Sequence, residues 1–145
     1  MKITISSPVA QDYLAVKAGF TEKLFLQLNP PFPPVRLLRF DGSAKGDIVS
    51  LELNFLLFKQ TWISEITEDK TDEKEFYFID KGVKLPFFLK AWTHKHRILK
   101  DGEGSIIRDE IEFEGPFGLM TLLLYPVLYL QFMYRKPIYR KFFKR

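Results

Sequence analysis

The chain ends in the stretch GPFGLMTLLLYPVLYLQFMYRKPIYRKFFKR, residues 115–145, and the role of this stretch decides the fold. Residues 117–134 contain no charged side chain. A run of this length is at the lower limit of what can cross a lipid bilayer. Basic residues follow it directly. The stretch is therefore either a membrane span with a basic flank or a long helix that packs on a sheet.

Three observations favour packing on a sheet. Pro126 lies in the middle of the run and removes a backbone hydrogen bond that lipid cannot replace. Gly118, Thr121 and Gln131 lower its hydrophobicity. The strands predicted upstream have an apolar face that needs a cover. We therefore expect a helix over residues 119–134, kinked at Pro126 and ended by the basic flank.

This helix is apolar on nearly all sides. One broad face consists of Leu119, Leu122, Leu123, Tyr129, Leu130 and Met133, and the other of Met120, Leu124, Val127 and Leu128. A helix without a polar face is buried, or it contacts lipid or a partner. Two alternatives stay open for the second face. Loops or N-terminal helices cover it, or it forms a homodimer or membrane contact.

Length and composition indicate one globular unit. A chain of 145 residues can form a single good core, so we expect one domain over residues 1–145. The absence of cysteine excludes disulfides, thiolate metal sites and a cysteine nucleophile. The first residues lack the long apolar segment of a secretory signal, so we expect a cytoplasmic protein.

The positive charge is concentrated at the C-terminus. Residues 135–145 carry six basic side chains and no acidic one, whereas the preceding 134 residues contain 16 basic and 18 acidic ones. A nucleic-acid-binding domain needs positive charge on its folded body as well. We therefore expect no nucleic-acid partner.

The N-terminal part predicts a strand and two short helices. Alternation around Ile3 and Ile5 indicates the strand. Ser7 is predicted to cap the first helix, with Pro8 at its first position. A second helix starts near Thr21 and ends at the proline-rich residues 29–34.

Period-two segments joined by short turns follow. They are residues 35–40, 47–55, 60–68, 75–79, 88–99 and 105–114. Consecutive hairpins indicate an antiparallel sheet, and helices at both ends of the chain indicate an α+β fold. The predicted architecture is a sheet of about seven strands wrapped around the long C-terminal helix.

The last two strands predict a polar cluster on the inner face. With Asp101-Gly102 as a two-residue turn, Trp92 lies opposite Ile111, His94 opposite Asp109, and His96 opposite Ile107. Charged side chains occupy the alternate positions 108, 110, 112 and 114, so Asp109 and the two histidines point inward. A buried carboxylate needs a partner, and His94 is within reach.

Four interpretations of this cluster stay open. It is a satisfied polar patch in a cavity wall, or a set of polar groups that orients a ligand. Alternatively, Asp109 orients His94 for general acid–base chemistry, or the two histidines and Asp109 bind a metal. Tyr125 and Tyr129 are candidate ligand contacts from the helix. There is no phosphate loop or nucleophile elbow, so no cofactor, metal or specific catalytic motif is expected.

The order of elements resembles the helix-grip fold of the START-like superfamily, also called SRPBCC and birch-pollen-allergen-like. The chain is most similar to a bacterial ligand-binding subfamily without a settled activity. The motifs that carry this resemblance are Trp92-Thr-His94-Lys-His96, Asp109 and Phe132-Met-Tyr-Arg135. The resemblance implies a small hydrophobic ligand held between sheet and helix, since members include carriers, co-chaperones, cyclases and aromatases.

The leading functional hypothesis is therefore binding of a small hydrophobic ligand, such as a lipid, a polyketide-like compound or an aromatic compound. Trp92, His94, His96, Asp109, Tyr125 and Tyr129 are its predicted contacts. A small cyclase, dehydratase or isomerase that uses His94 and Asp109 is the alternative. A second alternative is a membrane-surface or protein-interaction module, in which Ile138, Phe142 and Phe143 of the basic tail make the contact.

Overall fold

Seven antiparallel strands form one sheet, and three helices connect or cover them. The computed structural model describes residues 1–145. Its elements are β1 (Lys2–Val9), α1 (Tyr13–Gly19), α2 (Glu22–Gln27), β2 (Val35–Phe40), β3 (Ile48–Asn54), β4 (Lys59–Thr71), β5 (Glu75–Lys84), β6 (Ala91–Asp101), β7 (Gly104–Glu114) and α3 (Gly118–Phe142). The strand order is β1-β7-β6-β5-β4-β3-β2. The predicted α+β helix-grip architecture is confirmed.

The first helix starts later than the sequence predicts. Ser7 does not cap a helix, because β1 continues to Val9 and pairs with β7 along its whole length. Pro8 is tolerated there since β1 is an edge strand. Asp12 caps α1 instead, and its Oδ1 accepts hydrogen bonds from the backbone N–H groups of Leu14 and Ala15.

The C-terminal helix is longer than predicted. It continues past Tyr134 to Phe142 and contains both Pro126 and Pro137. Both prolines are exposed. Proline has no backbone N–H, so the carbonyl four residues before each proline has no hydrogen-bond partner in the helix. Because both prolines are exposed, water can reach these carbonyls. α3 packs against β1 and β7 and leaves β2–β4 uncovered.

The aromatic residues at the basic end of the chain belong to the core, while Arg140, Lys141, Lys144 and Arg145 are exposed. Tyr139 and Phe143 are buried in one hydrophobic cluster with Val16 of α1, and Ile138 and Phe142 pack against that cluster. Of the three residues predicted to make a membrane contact, Phe143 is therefore buried, and Ile138 and Phe142 are partly buried against the core.

The outer face of α3 is not covered by any other element. Its exposed leucines are Leu119, Leu122, Leu123 and Leu130. These leucines belong to the first of the two predicted faces. Leu124, Val127 and Leu128 of the second face line a cavity between the helix and the sheet, so the face left without a cover is the first one. No helix combines the length and apolar character that crossing a membrane requires.

The buried position of Phe143 can be tested by truncation. Its side chain is 1% exposed and its ring stacks on Phe20 with centroids 6.0 Å apart. We expect Phe143→Ala to lower the free energy of unfolding by about 3–5 kcal/mol, measured by urea denaturation. The matched control is Phe117→Ala, which removes a ring that is 57% exposed. Equal effects of the two substitutions would contradict this placement.

Candidate functional site

The hairpin between β6 and β7 has a register shifted by two residues from the predicted one. Asp101 pairs with Gly104, so the two loop residues are Gly102 and Glu103, and Gly102 has a φ of 58°. A Cβ on Gly104 would lie 2.7 Å from the carbonyl oxygen of Val9, which explains the glycine there. A shift of two keeps every side chain on its predicted face.

The corrected register changes the residues that lie directly opposite one another. Trp92 faces Phe113, His94 faces Ile111, and His96 faces Asp109. His94 is nevertheless the hydrogen-bond partner of Asp109, because His94 Nε2 lies 2.8 Å from Asp109 Oδ1 on the diagonal. The predicted contact is therefore present in a different cross-strand geometry.

A cavity of about 400 Å³ lies between the sheet, α2 and α3. The strands that form its wall are β2 to β6. The strands β1 and β7 do not contribute, because α3 packs directly against them. Twenty of its 32 lining residues are hydrophobic. Trp92, His94 and His96 belong to the wall. Asp109 does not, because it is fully buried behind His94.

A polar strip of four side chains, Asp80, His94, His96 and Asp109, crosses three strands, with the first three in the cavity wall and Asp109 behind it. Asp80 on β5 accepts hydrogen bonds from Trp92 Nε1 at 3.2 Å and from His96 Nε2 at 2.7 Å. His94 donates to Asp109 on the other side. The two imidazoles stack with centroids 3.5 Å apart, and His96 also stacks on Phe78 at 4.2 Å.

These contacts determine the tautomers of both histidines. A carboxylate only accepts hydrogen bonds, so Nε2 carries the proton in each ring. His94 Nδ1 then faces Asp80 Oδ2 at 3.6 Å, and His96 Nδ1 is buried without a hydrogen-bond partner. Each imidazole therefore makes a hydrogen bond through Nε2 and none through Nδ1.

The strip holds its carboxylates charged and His96 neutral. Burial is the largest influence and would raise the pKa of Asp80 and Asp109, but the hydrogen bonds from His96 and His94 and the attraction of nearby positive charge together outweigh burial and lower both pKa values. Burial lowers the pKa of His96 to about 4, with repulsion from His94 adding to this effect and the Asp80 contact opposing it. At neutral pH the His96 imidazole is therefore an uncharged donor.

Two predicted contacts do not reach the cavity. Tyr125 and Tyr129 lie on the outer side of α3, partly exposed, and stack on each other with centroids 6.2 Å apart. Their prediction as ligand contacts is wrong. The face of α3 toward the cavity consists of Leu124, Val127, Leu128, Gln131, Phe132 and Arg135.

The sequence interpretation missed Asp80 and Arg135 as site residues. Residues 76 and 78 point inward on β5, and one further step of the same alternation reaches Asp80. The predicted strand stopped at Ile79 and excluded it. Similarly, the predicted helix stopped at Tyr134. Extending its inner face from Leu128 would have placed Arg135 in the cavity wall.

Asp80, His94 and His96 could supply three ligands to a metal. Their nearest ligand atoms all lie within 4.8 Å of one another. Asp109 would then support His94 from behind, as carboxylates commonly do for metal-bound histidines. The stacked rings would have to swing apart to direct both nitrogens at one ion. The arrangement seen is that of a hydrogen-bonded cluster.

The low pKa of His96 predicts a loss of stability in mild acid. Between pH 6.5 and about 4 the unfolded chain protonates this histidine and the folded protein does not. The unfolded state therefore binds more protons, and stability falls as the pH falls through this window, by an amount on the order of 3 kcal/mol. Below this window, protonation of Asp80 and Asp109 removes further stability, because their folded pKa values are lowered.

Urea denaturation at pH 7 and pH 4.5 measures this effect. The control is His96→Gln, which retains an amide donor for Asp80 but does not titrate. The difference between the two pH values should be smaller in the variant. An unchanged difference would show that His96 is not the group responsible.

The contact between His94 and Asp109 predicts energetic coupling. Asp109 is fully buried and His94 is 3% exposed, so removing either one leaves the other without its partner. We expect His94→Ala and Asp109→Ala each to cost about 3–5 kcal/mol in unfolding experiments. The double variant should cost less than their sum, with a coupling energy of about 1–3 kcal/mol. Additive losses would contradict a direct interaction.

Comparisons of the sequence with known proteins do not identify a family. No protein-family model matches the chain. Serpin A11 from Rattus norvegicus is 29% identical over 77 residues, a match that covers 53% of this chain and 18% of the serpin. The chain thus spans under a fifth of the length of that relative, and the match carries no functional statement about the chain.

Solved structures match nearly the whole chain. The Zhui aromatase/cyclase from a Streptomyces species has a TM-score of 0.67 and 14% identity, covering 94% of this chain and 89% of its own. Truncated norcoclaurine synthase from Thalictrum flavum has a TM-score of 0.63 and 12% identity, covering 88% and 82%. The major latex-like protein 151 from Panax ginseng has a TM-score of 0.62 and 14% identity, covering 96% and 97%. At these identities the likeness concerns the fold, and the chain has the helix-grip fold that its sequence resemblance implied.

Proposed function

We propose that the protein binds a small hydrophobic molecule in the cavity between its sheet and α3. The observation that carries this proposal is the cavity itself, about 400 Å³ in volume and lined mainly by hydrophobic side chains. That volume is in the range of small-molecule sites, which are largely apolar with a few polar groups. A core of ordinary packing density has few voids larger than a water molecule.

The wall offers flat surfaces to a planar ligand. Trp62 and Trp92 meet edge to face with centroids 4.8 Å apart, and both line the cavity. Trp62 donates to Ser64, and Trp92 donates to Asp80, so each indole is held in place by a hydrogen bond. Aromatic rings fixed in this way favour an aromatic or polycyclic ligand over a flexible chain. Proteins of similar fold are named as an aromatase/cyclase and a synthase, which is compatible with such ligands.

Proton transfer to the bound molecule is the second candidate function. It rests on the contact between His94 and Asp109, which fixes the tautomer of a histidine in the cavity wall. In this function Asp109 is a positioning residue for His94. His94→Gln should then still bind the ligand but no longer convert it chemically. Mass spectrometry of the bound compound over time measures this conversion. Conversion at an unchanged rate would exclude this function.

The cavity can be tested with a neutral fluorescent probe, N-phenyl-1-naphthylamine. The chain has only two tryptophans, and both line the cavity. A probe bound there should quench their emission by energy transfer and show saturable binding in the micromolar range. A probe that never quenches the tryptophans would overturn the proposal.

A pair of variants distinguishes the cavity from the exposed apolar surface. Val49→Phe together with Leu51→Phe adds bulk to the cavity wall, and we expect probe affinity to fall about tenfold or more, equivalent to about 1.4 kcal/mol. Val83→Phe is the control, since Val83 is 64% exposed and outside the cavity. If the probe binds both variants with the same affinity, it does not occupy the cavity and binds an exposed apolar surface such as that of α3.

A further inference from the structure

Arg135 is the only lysine or arginine among the residues that line the cavity. Its guanidinium lies over the Phe132 ring, 4.3 Å from the centroid, and the residue is half-buried. Stacking on a ring fixes the plane of the guanidinium while its N–H groups, which lie in that plane, stay available at the edges. The side chain is therefore pre-positioned and not a flexible surface charge.

This arginine has no counter-ion. It forms no ion pair within 4.0 Å, in contrast to Arg97, which bridges Glu75 and Glu110. Asp109 attracts Arg135 at longer range but lies behind the cavity wall, where its partner is His94. A partly buried charge without a paired group is costly, so Arg135 gains much from an anion that enters the cavity.

Gln131 supplies a second free donor beside Arg135. The two residues are four positions apart on α3, so their side chains are neighbours on one helix face, and both line the cavity. The side-chain amide of Gln131 makes no hydrogen bond to another side chain or to the backbone. By contrast, Asp80 is the only carboxylate in the lining, and its oxygens already accept from Trp92 and His96. Donors for an anion are therefore at the α3 side of the cavity.

We propose that the ligand is an amphipathic anion: a hydrophobic body that fills the cavity, and one oxyanion head group, such as a carboxylate, bound by Arg135 with support from Gln131. This inference rests on the proposed binding function and specifies the chemical class of the ligand. The planar fork of a guanidinium matches two oxygens of a carboxylate or sulfonate, whereas a neutral ligand leaves Arg135 without a counter-ion.

Two related probes test the inference. 8-Anilinonaphthalene-1-sulfonate and N-phenyl-1-naphthylamine share the same aromatic body and differ by one sulfonate. We expect Arg135→Met to weaken binding of the sulfonate probe about tenfold or more, because the charge-assisted hydrogen bonds to the sulfonate are lost. Binding of the neutral probe should change less than about twofold, since its contacts are apolar. Arg135→Lys should give an intermediate loss for the sulfonate probe, because the charge stays and the fork is lost.

Arg140→Met is the matched control. It removes the same charge from the same helix at an exposed position outside the cavity. If this control weakens the sulfonate probe as much as Arg135→Met does, or if Arg135→Met has no effect, the inference is overturned while binding of the neutral probe still supports the cavity. If Arg135→Met fails to fold, by circular dichroism, Arg135→Lys and Gln131→Leu decide the question in the same assay. Failure of the wild-type protein to bind the neutral probe overturns the proposed function itself.

Discussion

The position of α3 depends on the packing of its last turns. Tyr139 and Phe143 are inserted between α1 and the sheet, where both stack on Phe20. Gly19 is essential to this fit, because a Cβ there would lie 2.5 Å from the Phe143 ring. With its C-terminal end fixed at α1, the helix runs along β1 and β7, and the concave surface of the other strands is left to enclose a cavity.

The four-residue polar strip has a cost that the cavity helps to explain. Two carboxylates and two imidazoles in an apolar setting are stable only when each is hydrogen-bonded, and a packed apolar core would avoid the desolvation. Here Asp109 Oδ2 and His96 Nδ1 lack hydrogen-bond partners. Of these two residues only His96 lines the cavity, where a polar group of a bound molecule would complete its hydrogen bonding.

The sequence was sufficient for the fold because the strands alternate cleanly. The predicted bounds of β2, residues 35–40, agree with the structure; those of β3 differ by one residue at each end, and those of β7 by one residue at its start. The register of the last hairpin could not be predicted, since both Asp101-Gly102 and Gly102-Glu103 are acceptable turns and the choice depends on the contact of Gly104 with β1. The inward-facing residues were still predicted correctly, because a shift by two residues keeps each side chain on the same face of its strand.

The candidate site was less predictable than the fold. His94 and Asp109 were brought together correctly because period two assigned both to the inner face. Asp80 was missed because no change in composition indicates where β5 ends. Arg135 was missed because the residues after Tyr134 were predicted to be a solvated basic tail. The orientation of α3 about its axis also decides which tyrosines reach the cavity. That rotation is determined by Tyr139 and Phe143, which are far along the chain from Tyr125.

The two ends of α3 are held very differently. At its C-terminal end, the backbone N–H of Gln11 donates to the Phe143 carbonyl, the Gln11 amide donates to the Lys144 carbonyl, and Arg145 bridges to Glu103. At its N-terminal end, Thr121 accepts one hydrogen bond from the Gly115 backbone, and the surrounding leucines are exposed. Opening of the structure should therefore be graded along the helix, with amide protons near Leu119 exchanging with solvent much faster than those near Tyr139. The α3 residues that line the cavity, 124–135, follow directly on the less firmly held N-terminal turns, so loosening of those turns would open the cavity first on its Leu124 side.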